Sequence, residues 1–149
     1  MMNANDILKK KIKQTWHISP DATVAVAVKY MSEKEVGALM VMDDKSNVLG
    51  IITERDYFRK IVPEKRTSFN TLVKDIMTPA DQMHTVTPTT SVEDCMLLMT
   101  NKRIRHIPVF DGNQYVGLIS IGDAVRSVIS DKDFTIEQLE NYIKGSYPS

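Results

Sequence analysis

One pattern of residues runs through this chain of 149 amino acids twice. It extends from Pro20 to Val62 and again from Pro88 to Ile129, at an offset of 68 residues that drops to 67 after a one-residue deletion in a turn. Pro20 matches Pro88, Val24 matches Val92, Met31 matches Met99 and Val41 matches Val109. Beyond the deletion, Gly50 matches Gly117, Ile52 matches Ile119, Asp56 matches Asp123 and Arg59 matches Arg126. A period this long, repeated only twice, does not build a stacked solenoid. It predicts two similar units packed face to face in one body, with a cleft on their pseudo-two-fold axis as the natural ligand site.

Composition narrows the function classes. A hydrophobic fraction of 42% can bury one good core, or two small ones that share an interface. Nineteen basic residues against 19 acidic ones give no net field to attract nucleic acid or an anionic membrane, so any anion site must be local. No apolar run approaches the roughly 18 residues that span a bilayer, and the N-terminus lacks the apolar stretch of a signal peptide. A cytoplasmic protein is expected. The single cysteine, Cys95, excludes an internal disulfide and fits a reducing compartment.

Along the chain, residues 5 to 16 read as a short basic helix with Leu8, Ile12 and Trp16 on one face, docked on the main body. In the first repeat, Asp21 or Thr23 caps a helix whose inner stripe is Val24, Ala27, Val28 and Met31. The twin stripe is Val92, Cys95, Met96 and Met99, capped by Ser91. Two apolar runs follow each helix: Ala38 to Met42 and Val48 to Ile52, then Ile107 to Phe110 and Tyr115 to Ile119, joined by turns of hairpin chemistry. A second helix begins at Thr53 or Ser120. With His17 to Ser19 and Thr85 to Thr87 as short lead-in strands, each unit is an α/β unit of order strand, helix, strand, strand, helix. The expected organisation is an N-terminal helix over 1–17, repeats over 18–62 and 85–130, a polar connector over 63–84, and a C-terminal helix and tail over 131–149. Asp131 to Asp133 are expected to break the chain before a separate last helix opened by the capping box Thr135-Ile136-Glu137-Gln138.

The pair Thr53-Glu54-Arg55-Asp56 and Ser120-Ile121-Gly122-Asp123 carries the chemistry. Each follows an apolar strand and opens a helix, with hydroxyl and carboxylate three apart. A helix N-terminus presents amide groups suited to phosphate, while a carboxylate one turn in can accept both hydroxyls of a ribose. The same two residues also make an ordinary capping box, and the spacing admits either role. Before its middle strand the second repeat adds Lys102, Arg103, Arg105 and His106. Arg103 and Arg105 are expected on one face of a chain entering a strand, and Arg105 followed by His106 offers a fork of donors for phosphate; the alternative for the cluster is a solvated basic face. His17, His84 and His106 lack metal-ligand spacing, so no metal site is expected. Cys95 sits on a buried helical stripe and reads as core rather than nucleophile. No base and orienting group accompany it or His106, so no catalytic residue is expected.

These strings resemble a pair of cystathionine-β-synthase (CBS) motifs, the arrangement called a Bateman module. The resemblance spans Ile18 to Ile129 and rests on Val36 to Asp43, Leu49 to Tyr57, Met99 to Val109 and Val116 to Asp123. The tail Phe134 to Ile143 is similar to a stand-alone subgroup of bacteria and plant organelles. The resemblance implies a regulatory, non-catalytic module that binds an adenosine ligand such as AMP, ADP, ATP, NAD or S-adenosylmethionine, pairs as a homodimer through its second helices, and signals to a regulated protein. It assigns ribose to Asp56 and Asp123, phosphate or the adjacent ribose oxygen to Thr53 and Ser120, and phosphate charge to Arg105, His106 and Arg55. It assigns adenine to the surroundings of Gly37, Ala38 and Leu39 in one repeat and of Ile107 and Pro108 in the other, with main-chain bonds near Ile18 and Val86. Met40 stands where the family often has the proline that the second repeat keeps as Pro108.

Overall fold

The computed structural model describes residues 2–11 and 16–143, and the side chains of these except 131–138 and 142. The chain divides into two units, one of Gln14–His84 and one of Met1–Lys13 with Thr85–Ser149.

In the first of these, β1 (His17–Ile18) leads to α2 (Val24–Lys34), β2 (Ala38–Met42), β3 (Val48–Thr53), α3 (Glu54–Lys60), α4 (Val73–Ile76) and β4 (Thr78–Pro79). Thr23, one of the two expected caps, takes the N-cap of α2 and accepts from the Val26 amide. The i, i+3, i+7 stripe of Val24, Ala27 and Met31 is buried, as its spacing requires. The strands form one sheet in the order β1-β2-β3-β4, with β1 parallel to β2 and the other pairs antiparallel. The polar connector is more structured than its composition suggests. Val73 and Ile76 of α4 are buried in the core beside Ile52 and Ile61, and β4 pairs with β3 at Gly50 and Ile51. Gly50 is required there, because a Cβ would lie only 2.3 Å from the Thr78 carbonyl oxygen.

The second unit repeats this plan around α5 (Val92–Lys102), β5 (His106–Asp111), β6 (Gln114–Ser120) and α6 (Ile121–Ile143). Ser91 caps α5 through the Asp94 amide, and Cys95, the counterpart of Ala27, is fully buried. Burial first, and then the charge of Asp94, push its thiol pKa up, so it stays protonated and inert. The expected lead-in strand at Thr85 to Thr87 shrinks to a single parallel bridge between Val86 and Val109.

Three further expectations change. The N-terminal helix α1 covers Ala4–Lys10 only, and Lys11 already has extended backbone. Trp16 does not continue its stripe but stacks edge-on against Tyr30, with the Lys34 ammonium 4.3 Å from its ring centre. Ile12 lies outside the described residues. α1 joins the second repeat's core through Ala4 and Ile7, and Leu8 fills the space over Gly117 that a Cβ would need. At the C-terminus the expected break at Asp131 to Asp133 does not occur, and α6 runs unbroken to Ile143. Aspartate is a mediocre helix former but keeps its amide and does not clash, so two of them cost less than giving up the helical hydrogen bonds. Finally, Arg103 does not enter a strand. It closes α5 in the left-handed conformation, φ 56° and ψ 42°, so it does not alternate with Arg105 along an extended chain.

Candidate functional site

Strand register decides which of the expected residues share a surface. In the first repeat Ala38 pairs with Thr53 and Met40 with Ile51, while Leu39 pairs with Ile52. Cross-strand partners project to the same side, and neighbours along a strand to opposite sides. Ala38, Met40, Ile51 and Thr53 therefore form one face. Leu39, Val41 and Ile52 form the other, which packs on the helices. The second repeat gives the same division: His106 faces Ser120 and Pro108 faces Leu118, while Ile107, Val109 and Ile119 turn into the core. The register thus brings Ala38 to Thr53, and His106 and Pro108 to Ser120. It removes the side chains of Leu39 and Ile107, both 0% exposed, from any adenine surface and leaves only their main chain for that role. Ile18 and Val86 are likewise core side chains. Met40 donates its amide to the Trp16 carbonyl at 3.3 Å, a bond that the family's proline could not make.

Both hydroxyl and carboxylate pairs are capping boxes. The Thr53 amide donates to Asp56 Oδ2 at 2.9 Å and the Asp56 amide to Thr53 Oγ1 at 3.3 Å; the corresponding bonds between Ser120 and Asp123 are 2.9 and 3.1 Å. The next amide is also taken. Glu54 donates to the Gly37 carbonyl at 3.0 Å, and Ile121 to that of Arg105 at 2.8 Å. The expected row of open amides at each helix start is thereby shortened, since the first and third helical N–H groups are already bonded.

Each carboxylate also carries cations that the sequence reading did not assign to it. Lys60 Nζ is 3.2 Å from Asp56 Oδ1, Arg126 Nη2 is 2.7 Å from Asp123 Oδ1, and Lys11 Nζ is 2.9 Å from Asp123 Oδ2. Lys60 and Arg126 lie at i+4 and i+3, a spacing visible in the sequence. Lys11 lies outside both repeats, where nothing local signals it. Burial alone would raise the Asp123 carboxyl; hydrogen bonds from Lys11 and the Ser120 amide, together with the Lys11 charge, outweigh it and hold the group below the usual aspartate value. His106 moves the other way for an imidazole. Burial first, then the charges of Lys11 and Arg105 against the opposing pull of Asp123, bring its pKa down to about 4. At neutral pH it is an uncharged hydrogen-bonding group, so in this state it does not supply the phosphate-neutralising charge expected of it. Arg105, exposed beside it, remains the cation of that pair. No group of three or more potential metal ligands occurs among the described residues.

The family model of the CBS domain matches residues 4–63 and 73–130. The chain belongs to the CBS-domain family. It is similar to the mitochondrial CBS domain-containing protein CBSX3 of Arabidopsis thaliana, 44% identical over 149 residues, with 96% of this chain and 72% of the relative covered. Among solved structures it resembles a signal-transduction protein with CBS domains from Burkholderia ambifaria, 44% identical with a TM-score of 0.81, covering 87% of this chain and 96% of that one. It also resembles CBSX2 in complex with AMP, 23% identical with a TM-score of 0.67 over 87% of this chain and 98% of that one, a likeness of fold. Gly50 and Gly117, equivalent positions of the two repeats, admit β4 and α1 respectively against the strand after the hairpin.

Proposed function

We propose that this CBS pair is a regulatory module that binds an adenosine ligand, AMP, ADP, ATP or NAD, and reports energy or redox state to a partner protein by conformational change, without turning substrate over. The observation that carries this reading is the equivalent placement, in both repeats, of a hydroxyl and a nearly buried carboxylate at a strand-to-helix junction, beside a sheet face bearing Ala38 or His106 and Pro108. In this reading Asp56 and Asp123 accept ribose hydroxyls, Thr53 and Ser120 meet the adjacent oxygens, Arg55 and Arg105 meet phosphate, and Gly37, Ala38, Ile18 and Val86 offer main chain to adenine. An AMP complex of CBSX2, a protein of the same fold, is consistent with it. The partner acts only if the ligand binds two conformations with different affinity. The chain acts as a homodimer, joined through its second helices. The composition suggests a cytoplasmic protein, whereas the Arabidopsis relative is named as mitochondrial. No helix among the described residues is long and apolar enough to cross a membrane.

Thermal shift followed by calorimetry with AMP, ATP and NAD tests this. A ligand at about 100 times its Kd adds roughly 2.7 kcal/mol to stability. Asp123→Ala should weaken the bound ligand by about 1 to 3 kcal/mol, the range for losing hydrogen bonds to a charged group. No stabilisation at millimolar levels of any of the three rejects the nucleotide role.

A second reading, a constitutive interaction module whose nucleotide sites are vestigial, is favoured by one observation: both carboxylates are already bonded within their own units. A partner that is retained equally with and without nucleotide would support it.

A further inference from the structure

Asp56 and Asp123 are equivalent residues, and each bears a lysine ammonium that also holds a main-chain carbonyl. Lys60 Nζ donates to the Ile76 carbonyl at 2.8 Å while lying 3.2 Å from Asp56. Lys11 Nζ donates to the Leu118 carbonyl at 2.7 Å while lying 2.9 Å from Asp123. The two lysines come from different places. Lys60 is one turn along the same helix, whereas the position equivalent to it in the second repeat is Ser127, only 6% exposed and uncharged. The second repeat instead obtains its ammonium from the end of α1. Two routes to one arrangement indicate that the carboxylate needs a fixed cation beside it, and capping alone does not explain that need, since the box is complete without it.

We infer that Lys11, acting through Asp123, sets the preference for phosphorylated over unphosphorylated adenosine ligands at the second repeat. The inference rests on the nucleotide reading above. A carboxylate offers about four acceptor positions. On Asp123, Oδ2 accepts from the Ser120 amide and Lys11, and Oδ1 from Arg126. A ribose diol needs two positions, so one donor must give way. Arg126 is 73% exposed, and an ion pair so open to water is worth little. Lys11 is 26% exposed and has a second anchor on Leu118, so it keeps its place while Arg126 turns to solvent. With Lys11 present the aspartate is neutralised and Arg105 remains as net positive charge for a phosphate. Without it, only the water-exposed Arg126, whose pairing is worth little, offsets a carboxylate that faces an anion of the same sign, and the neutral His106 adds no charge. Adenosine carries no charge and is indifferent to this balance.

NMR titrations of Lys11→Met and Lys11→Arg with AMP and with adenosine, read at the Ser120 and Asp123 amides, give the second repeat's Kd alone. Lys11→Met should weaken AMP about tenfold or more, the effect of one charge near a phosphate in a partly wet site, and leave adenosine within about threefold. Lys11→Arg keeps the charge and should restore the AMP preference. Equal loss of both ligands, or AMP affinity unchanged in Lys11→Met, overturns the inference while leaving the nucleotide reading intact. An unsubstituted chain that binds neither ligand removes both. Thermal melting of each variant shows whether the fold survives; if Lys11→Met does not fold, Lys11→Gln, which offers the Leu118 carbonyl a donor without the charge, carries the same test.

Discussion

His106 lies across the β5–β6 pair from Ser120 and in the fields of Lys11, Arg105 and Asp123, so its titration reports the state of the whole second site. Its folded pKa of about 4 lies below the unfolded value of 6.5. Between those values the unfolded chain binds the extra proton, so stability rises with pH across the window. The contribution is fully present above 6.5 and fades toward about 4. A shift of that size corresponds to about 3 kcal/mol. Urea unfolding of the parent and of His106→Gln, from about pH 7 down to about pH 4.5, should show the parent losing roughly 2 to 3 kcal/mol more than the variant. Parallel pH profiles would show that the imidazole is not held neutral. Among the site residues, the hydroxyl and carboxylate pairs were legible because a hydroxyl three residues before a carboxylate has few local uses. Lys11 was not, since its partner Leu118 is 107 residues away and long-range ion pairs leave no periodic trace. The burial of Leu39 and Ile107 depends on register, which a run of consecutive apolar residues does not disclose.

Both first helices end in a residue that is not glycine yet adopts left-handed backbone: Glu35 at φ 56° and Arg103 at φ 56°. The following amides, Val36 and Ile104, return to the Met31 and Met99 carbonyls at 3.0 Å, and both side chains pack against the cores. This is the Schellman arrangement, in which glycine is the relaxed choice. Glu35→Gly removes about 1 to 2 kcal/mol of local strain and gives part of it back as unfolded-chain entropy, so a net gain of about 0.5 to 1 kcal/mol is expected. The urea midpoint should rise accordingly, and a fall would mean that the exposed Glu35 side chain contributes more than its backbone costs. The absence of glycine also hides these helix ends from sequence reading. The stripes of α2 and α5, the four long strands and both capping boxes were legible because period and cap chemistry are local signals. The connector's α4 and the unbroken α6 were not. Val73 and Ile76 are too few to show a period, and aspartates that cap one helix can equally sit inside another.

Each repeat leaves matching apolar positions in water. Phe58 and Val62, at and just beyond the end of α3, are 66% and 58% exposed; their equivalents Val125 and Ile129 on α6 are 36% and 52% exposed. Single exposed apolar residues need no explanation, but the same two positions, spaced i and i+4, recurring in both repeats form two related patches on the second helices. Helix-propensity cannot account for them, since Phe and the β-branched residues are only middling helix formers. An isologous contact uses one surface on both partners and is therefore self-complementary, which is what a duplicated patch supplies most simply. A few central anchors in such a contact carry about 2 kcal/mol or more each, and the aromatic Phe58 is the leading candidate here. Phe58→Glu with Ile129→Glu should accordingly turn the proposed homodimer into a monomer in sedimentation, while thermal melting stays cooperative because neither residue belongs to a buried core. A parent chain that sediments as a monomer at every concentration, or a double variant that remains paired, would mean that these faces serve some surface other than a second copy of the chain.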